Sequence, residues 1–208
     1  MIRYMTKHYD KLLGLLAEHM WMSAAAVGIA FAIAFAAAML MYRRKEFALP
    51  VNVLCNTVYA IPTLALFSIL IPITGLGKTT AIVTMVLYNQ FILTKSICSA
   101  FETIDQSVLE AADAIGLDGW QTYCSVKAPL ALPLMLNGVK LALSSTVAGA
   151  TLAALIGAGG LGELIFNGLS MKNYNQVAWG VVLSSLCAFA ANHVMQWMED
   201  RALDRIQG

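Results

Sequence analysis

The sequence predicts an all-α integral membrane protein: five transmembrane helices in one domain (residues 1–208), preceded by an amphipathic helix on the membrane surface. Three observations carry this. Hydrophobic residues make up 59% of the 208 and charged residues only 12%, about half the charged share of an ordinary soluble domain. A water-soluble chain this apolar could not cover its own surface. The apolar residues fall in long charge-free runs, and those runs end abruptly at charged clusters. Net charge is +1, so bulk electrostatics suggest neither nucleic acid nor an acidic partner.

Met1 to His19 mixes Arg3, Lys7, Asp10, Lys11 and Glu18 with Leu12, Leu13, Leu15 and Leu16, the composition of a helix lying in the interface. It does not read as a cleaved leader, because the apolar run that follows simply continues as a crossing. A crossing needs about 20 mostly apolar residues. Met20 to Tyr42 supplies the first and stops at Arg43-Arg44-Lys45. Phe47 to Gly77 is 31 residues without a charge, read as one crossing plus an ordered shoulder. Thr79 to Thr94 is the shortest candidate and ends at Lys95. Leu141 to Gly162 lies between Lys140 and Glu163, with its helix expected to begin near Pro133. Asn173 to Met198 is the last.

Orientation follows from the basic connections. Arg43, Arg44 and Lys45 occupy a very short loop, where the positive-inside rule is strongest. Placing that loop in the cytoplasm puts the N-terminus outside and the C-terminus inside. Lys and Arg then number seven inside (43, 44, 45, 95, 127, 201, 205) and five outside (3, 7, 11, 78, 172), with Lys140 left aside. Cys55 and Cys187 fall in crossings, and Cys98 and Cys124 on the cytoplasmic side. There is no CxxC pair and the three His are scattered, so neither a structural disulfide nor a metal site is expected.

Two glycine motifs imitate nucleotide sites. Gly75-Leu76-Gly77-Lys78-Thr79 resembles the end of a phosphate loop, but Pro72 stands where that loop needs its first glycine, and no strand precedes it. Gly157-Ala158-Gly159-Gly160-Leu161-Gly162 is a formal GxGxxG, yet it closes a membrane crossing rather than linking a strand to a helix. Gly157, Gly159, Gly160 and Gly162 are read instead as tight packing, or a bend, at the outer mouth.

Between crossings three and four lies a partly charged island, taken broadly as residues 98–128. Ser107 and Glu110 have capping-box spacing, Gly116 stands where a left-handed C-cap belongs, and Asp118 with Gln121 opens a second helix that Pro129 ends. The expected exposed apolar positions are Leu109, Ala112, Ile115 and Trp120. Asp105, Glu110, Asp113 and Asp118 argue against a DNA-binding helix–turn–helix, since they would face phosphates. An ordinary loop and a helix seated in a partner's groove remain open on spacing alone.

The residues Glu110-Ala111-Ala112-Asp113, Gly116, Val126 and Pro129 resemble the cytoplasmic-loop signature of permease subunits of ATP-binding-cassette importers. The chain departs from that signature at Ala128, where Leu is usual. Pro133 and Gly138 extend the likeness. Ala60 to Leu66 and Ala150 to Gly162 look like the osmoprotectant branch, which carries glycine betaine, carnitine and choline. The likeness covers approximately residues 50 to 170. It implies the type I importer permease fold and a multi-pass place in the bacterial cytoplasmic (inner) membrane. It also implies a second permease, identical or related, two ATPase subunits gripping the loop, and an extracytoplasmic substrate-binding protein. No cofactor is expected on this chain; ATP and Mg would sit on the partner ATPase.

Polar groups inside crossings are costly and often mark a pathway. Asn56, Thr57 and Tyr59, then Tyr88, Asn89 and Gln90, then Ser144, Ser145 and Thr146 are such groups; the competing reading is hydrogen bonding between helices. Aromatic faces suit a quaternary ammonium, which singles out Tyr59 and Tyr88. An amino-acid importer permease is the alternative within the class. A stand-alone secondary transporter or a membrane enzyme would want titratable groups in the crossings, where only His193 is found.

Overall fold

The computed structural model describes the backbone of residues 2–207 and the side chains of residues 8–204. Helix α1 runs from Ile2 to Arg43. Its buried stripe is Met22, Ala26, Ala30, Ala34 and Ala38, each at most 1% exposed. Alanine every fourth residue removes side-chain bulk from one face, so a neighbouring helix can approach closely, which is how helices associate where lipid offers no hydrophobic drive. That neighbour is α4, which contributes Ala81, Met85, Leu93, Ile97 and Ala100. Ile29, Ile33 and Leu40 cover the opposite, exposed side.

The expected separation of residues 1–19 from the first crossing is corrected. The helix passes through His19 unbroken, and its one non-helical residue is His8. Leu12 and Leu15 are buried with Leu161, Leu164 and Cys187, so this stretch packs on the bundle. The side chains of residues 1–7 lie outside the described residues.

The second run is not one straight crossing. A short 3-10 turn, Lys45–Phe47, leads into α2 (Ala48–Ala60), and α3 (Thr63–Thr74) leaves it at 102°. The cause is Pro62: it lacks an N–H, and its ring drives the preceding Ile61 out of helical space, to φ −72°, ψ 128°. Helix α2 fully buries no residue; one face packs on α4 and the others are free to meet something outside this chain.

Helix α4 (Lys78–Glu102) overruns the expected end at Lys95 by two turns, because Lys95 stays exposed with its ammonium 5.5 Å from the Phe91 ring. After α5 (Gln106–Ala114) and α6 (Gly119–Thr122) comes a five-residue π-helical turn, Tyr123–Lys127, which feeds α7 (Ala128–Ala153). Pro129 therefore opens α7 instead of ending α6: at the first turn its missing N–H costs nothing. A 3-10 turn (Ala154–Ile156) and the glycine loop lead to α8 (Gly162–Ser170), a helix the sequence reading did not anticipate, and then to α9 (Tyr174–Gln207). Helix α7 packs on both α4 and α9, and α8 on α9. Among the described residues, four helices are long and apolar enough to cross a bilayer, and the bent α2–α3 pair makes a fifth.

Candidate functional site

The island is a capped helical module at the end of the bundle where α1 and α4 finish. Asp105, not Ser107, caps α5: it has extended backbone (φ −60°, ψ 132°) and its carboxylate accepts the Ser107 N–H at 2.9 Å. That bond holds the Asp105 carboxyl below the usual aspartate value. Ser107, inside the first turn, cannot also be the cap, and Glu110 faces solvent. At the other end Gly116 adopts φ +81°. The Leu117 N–H reaches back to the Ala112 carbonyl at 3.2 Å and the Gly116 N–H to Asp113 at 3.0 Å, the paired bonds of a Schellman cap. Asp118 and Gln121 open α6 as expected, and they do so as a capping box: Asp118 accepts the Trp120 and Gln121 N–H groups at 2.9 and 2.8 Å, while Gln121 accepts the Asp118 N–H at 2.9 Å.

Ile115 and Trp120 are 77% and 73% exposed, as expected, and Val108 joins them. Ala112 is buried and Leu109 half-buried, a correction to the expected exposure of both. Ala111 and Asp113 are exposed, Val126 is half-buried and Pro129 is exposed.

In the bundle, α2, α3, α4 and α7 enclose a cleft of about 190 Å³ lined by Tyr59, Thr63, Tyr88, Asn89, Ser145 and Thr146 among others. Tyr59 packs against Tyr88 (ring centroids 5.7 Å apart) and Phe91 (4.7 Å). The Tyr88 hydroxyl donates to the Ile61 carbonyl, bracing the α2–α3 bend. Asn89, 1% exposed, donates to Thr146 Oγ1 at 2.7 Å, and Thr146 donates to the Ala142 carbonyl.

Gln90 is not in the cleft. It donates to the Ala30 and Val86 carbonyls at 3.2 and 3.1 Å, tying α4 to α1, because consecutive helical residues point about 100° apart. Ser144 likewise turns away, donating to Asn192 of α9. Thr63 and Thr84 line the cleft and were missed. Asn52, which sequence reasoning did not name, shares one exposed helical face of α2 with Asn56 and Tyr59. Lys140 was also set aside, yet its ammonium meets Glu199 of α9 at 2.8 Å with both side chains about four-fifths covered (21% and 18% exposed).

The opposite end of the bundle explains both glycine motifs. Lys78 pairs with Glu18 at 2.8 Å, and the second Glu18 oxygen accepts the Gly160 N–H at 3.3 Å. Gly157, Gly159 and Gly160 are left-handed. Gly162 packs so tightly that an added Cβ would collide with the Thr151 carbonyl. These residues are committed to packing and ion pairing, with a helix rather than a strand before each motif.

A bundle of membrane-spanning helices, with a polar and aromatic cleft among them and a capped helical module at one end, is the architecture of a transport permease. Residues 20–207 match the family model described as the binding-protein-dependent transport system inner membrane component, and the chain belongs to that family. It is 31% identical over 205 residues to an osmoprotectant import permease protein, OsmW, of Salmonella typhimurium, covering 96% of this chain and 94% of that one. It is 29% identical over 209 residues to the glycine betaine/carnitine/choline transport system permease protein OpuCB of Bacillus subtilis, covering 100% and 96%. Among solved structures, a chain of the MetNI methionine ABC transporter in an inward-facing conformation superposes with a TM-score of 0.83 at 21% identity, over 92% of this chain and 95% of that one. That likeness is one of fold.

Proposed function

We propose that this chain is the translocation subunit of an ATP-driven importer of osmoprotectant quaternary amines such as glycine betaine, carnitine or choline. In this reading two permease subunits enclose the pathway and two ATPase subunits bind their α5–α6 modules. A binding protein delivers solute at the glycine-loop end. The observation that carries the coupling role is the module itself: three capping devices fix its shape while Ile115 and Trp120 are held out in solvent. Rigid presentation of apolar side chains suits a helix that seats in a partner's groove. The resemblance of Glu110, Ala111, Ala112, Gly116 and Pro129 to the importer loop signature points the same way.

The substrate class rests on the names of the full-length relatives and on the cleft. Tyr59 and Tyr88 bring aromatic rings to the cleft, the natural partners of a cation that cannot hydrogen-bond. The cleft contains no carboxylate among its lining residues, so contacts there would be weak and transient, as conduction requires. Asn56 shares the exposed polar face of α2 with Tyr59, whereas Thr57 points about 100° away and donates to the Val53 carbonyl. Gln90 and the glycines 157, 159, 160 and 162 hold the helices around the pathway and do not line it. Amino acids are the alternative cargo, and the aromatic pair weighs against them.

Topology gives the test. In a background lacking the four native cysteines, Ala114→Cys (an exposed position on α5) should resist an impermeant thiol reagent in intact cells and react after lysis. Labelling in intact cells would put the module outside and remove the ATPase from its reach.

A further inference from the structure

Four aromatic side chains run in series from the α5–α6 module into the bundle. Trp120 stacks on Tyr123 of the π-helical turn, with centroids 6.0 Å apart and planes 20° apart. Tyr123 stacks on Phe101 of α4 at 6.0 Å and 21°. Phe101 packs against Tyr42 of α1 at 6.0 Å. The series then returns to its origin. Lys127, the last residue of the π turn, sets its ammonium 5.2 Å over the Tyr42 ring and donates to the Tyr42 hydroxyl at 2.7 Å.

Exposure is 73% at Trp120, 8% at Phe101 and 51% at Tyr42, so the series is offered to solvent at Trp120 and anchored in its interior at Phe101. Rings at these separations lie within the range of favourable aromatic pairs. Each has few internal rotations, so a displacement at one end is passed on rather than absorbed by rotamer changes. The π turn carries both Tyr123 and Lys127, and such turns are rare and concentrate at functional sites. Phe101 and Tyr42 close the ends of α4 and α1, the two helices joined by the alanine stripe.

We propose that this aromatic series is a positioning device that ties movement of the α5–α6 module to the α1–α4 pair, with Tyr123 as its central link. It rests on the reading of the module as the ATPase seat. Along the backbone the module is joined to the bundle by the π turn and the short 103–105 segment, and a backbone segment can flex at a dihedral.

The test uses the whole transporter (both permeases, ATPase and binding protein) in proteoliposomes, measuring ATP hydrolysed per solute imported. Tyr123→Leu should keep its ATPase subunits and hydrolyse ATP, while the ratio rises about fivefold or more. Tyr123→Phe retains both stacks and should restore the wild-type ratio. Tyr42→Leu, at a half-exposed position outside the module, should raise the ratio in the same direction, and it guards against a folding defect peculiar to position 123. An unchanged ratio in Tyr123→Leu would overturn the proposal. So would an equal rise in Tyr123→Phe, or loss of the ATPase from the Tyr123→Leu complex, which would make the residue part of the seat. Failure of the wild-type chain to retain its ATPase is read on a separate sample and refutes the seat itself.

Discussion

Replacing Gly116 by valine isolates the shape of the α5–α6 module from the rest of the fold. Gly116 sits at φ +81° with no heavy atom within 4 Å of where a Cβ would be built. Steric collision therefore contributes nothing, and the cost is conformational. A residue with a Cβ loses roughly 1–2 kcal/mol in left-handed backbone, with a β-branched side chain at the upper end. Escape from that conformation would instead break the two Schellman bonds at 3.2 and 3.0 Å, each worth about 0.5–1.5 kcal/mol. The first route lowers the population of the native module by about 5- to 30-fold and the second by about 5- to 140-fold, at about 1.4 kcal/mol per factor of ten.

The crossings are held by packing far from this turn, so membrane abundance should stay near the wild-type level. Uptake normalised to abundance should collapse, and co-purification of the ATPase should weaken. Gly116→Asn should be nearly silent, because asparagine tolerates left-handed backbone, and Gly116→Ala should be intermediate. Wild-type uptake by Gly116→Val with its ATPase still bound would refute the reasoning, leaving the module an ordinary loop.

Two further outcomes follow from the ion pair and the cap. Lys140→Met strands the Glu199 carboxylate and should lower stability in detergent by roughly 2–3 kcal/mol, somewhat less than a fully buried pair. Lys140→Met combined with Glu199→Leu should recover most of it, and a thermal melt of the two variants decides. The Asp105 carboxyl is held below its usual value by the Ser107 N–H, so its contribution is complete above the ordinary aspartate value and disappears as pH falls through the lowered one. Hydrogen exchange at the Ser107 and Val108 amides should be insensitive to pH-dependent uncapping near neutrality. Asp105→Ala should lose protection there, and Asp105→Asn should retain it.

The parts of this fold that were legible in the sequence are those set by local chemistry. Charge-free runs located the crossings, Gly116 announced its left-handed turn, and Asp118 with Gln121 announced a cap, because each is decided within a few residues. Where two local solutions competed, the sequence pointed to the wrong one: Asp105 and Ser107 are both good caps, and it is the Asp105 carboxylate that accepts the Ser107 N–H. Pro62 carried the signal for the α2–α3 break, but the uniform apolarity from Phe47 to Gly77 concealed it. The divergence of Tyr88, Asn89 and Gln90 onto different neighbours, and the meeting of Lys140 with Glu199, are long-range facts that depend on how α1, α4, α7 and α9 pack. Helix α8 was hidden by the glycine loop that precedes it.

The central claim is that this chain supplies the pathway and a separate ATPase supplies the energy through the α5–α6 module. Uptake of radiolabelled glycine betaine into proteoliposomes tests it most directly, comparing the purified chain alone with the chain assembled with its ATPase and binding protein. Uptake should appear only in the complete assembly, require ATP, and vanish with a non-hydrolysable analogue, while the chain alone hydrolyses no ATP. Accumulation of solute by the chain alone, driven by an ion gradient, would contradict the account and make the protein a self-sufficient secondary transporter.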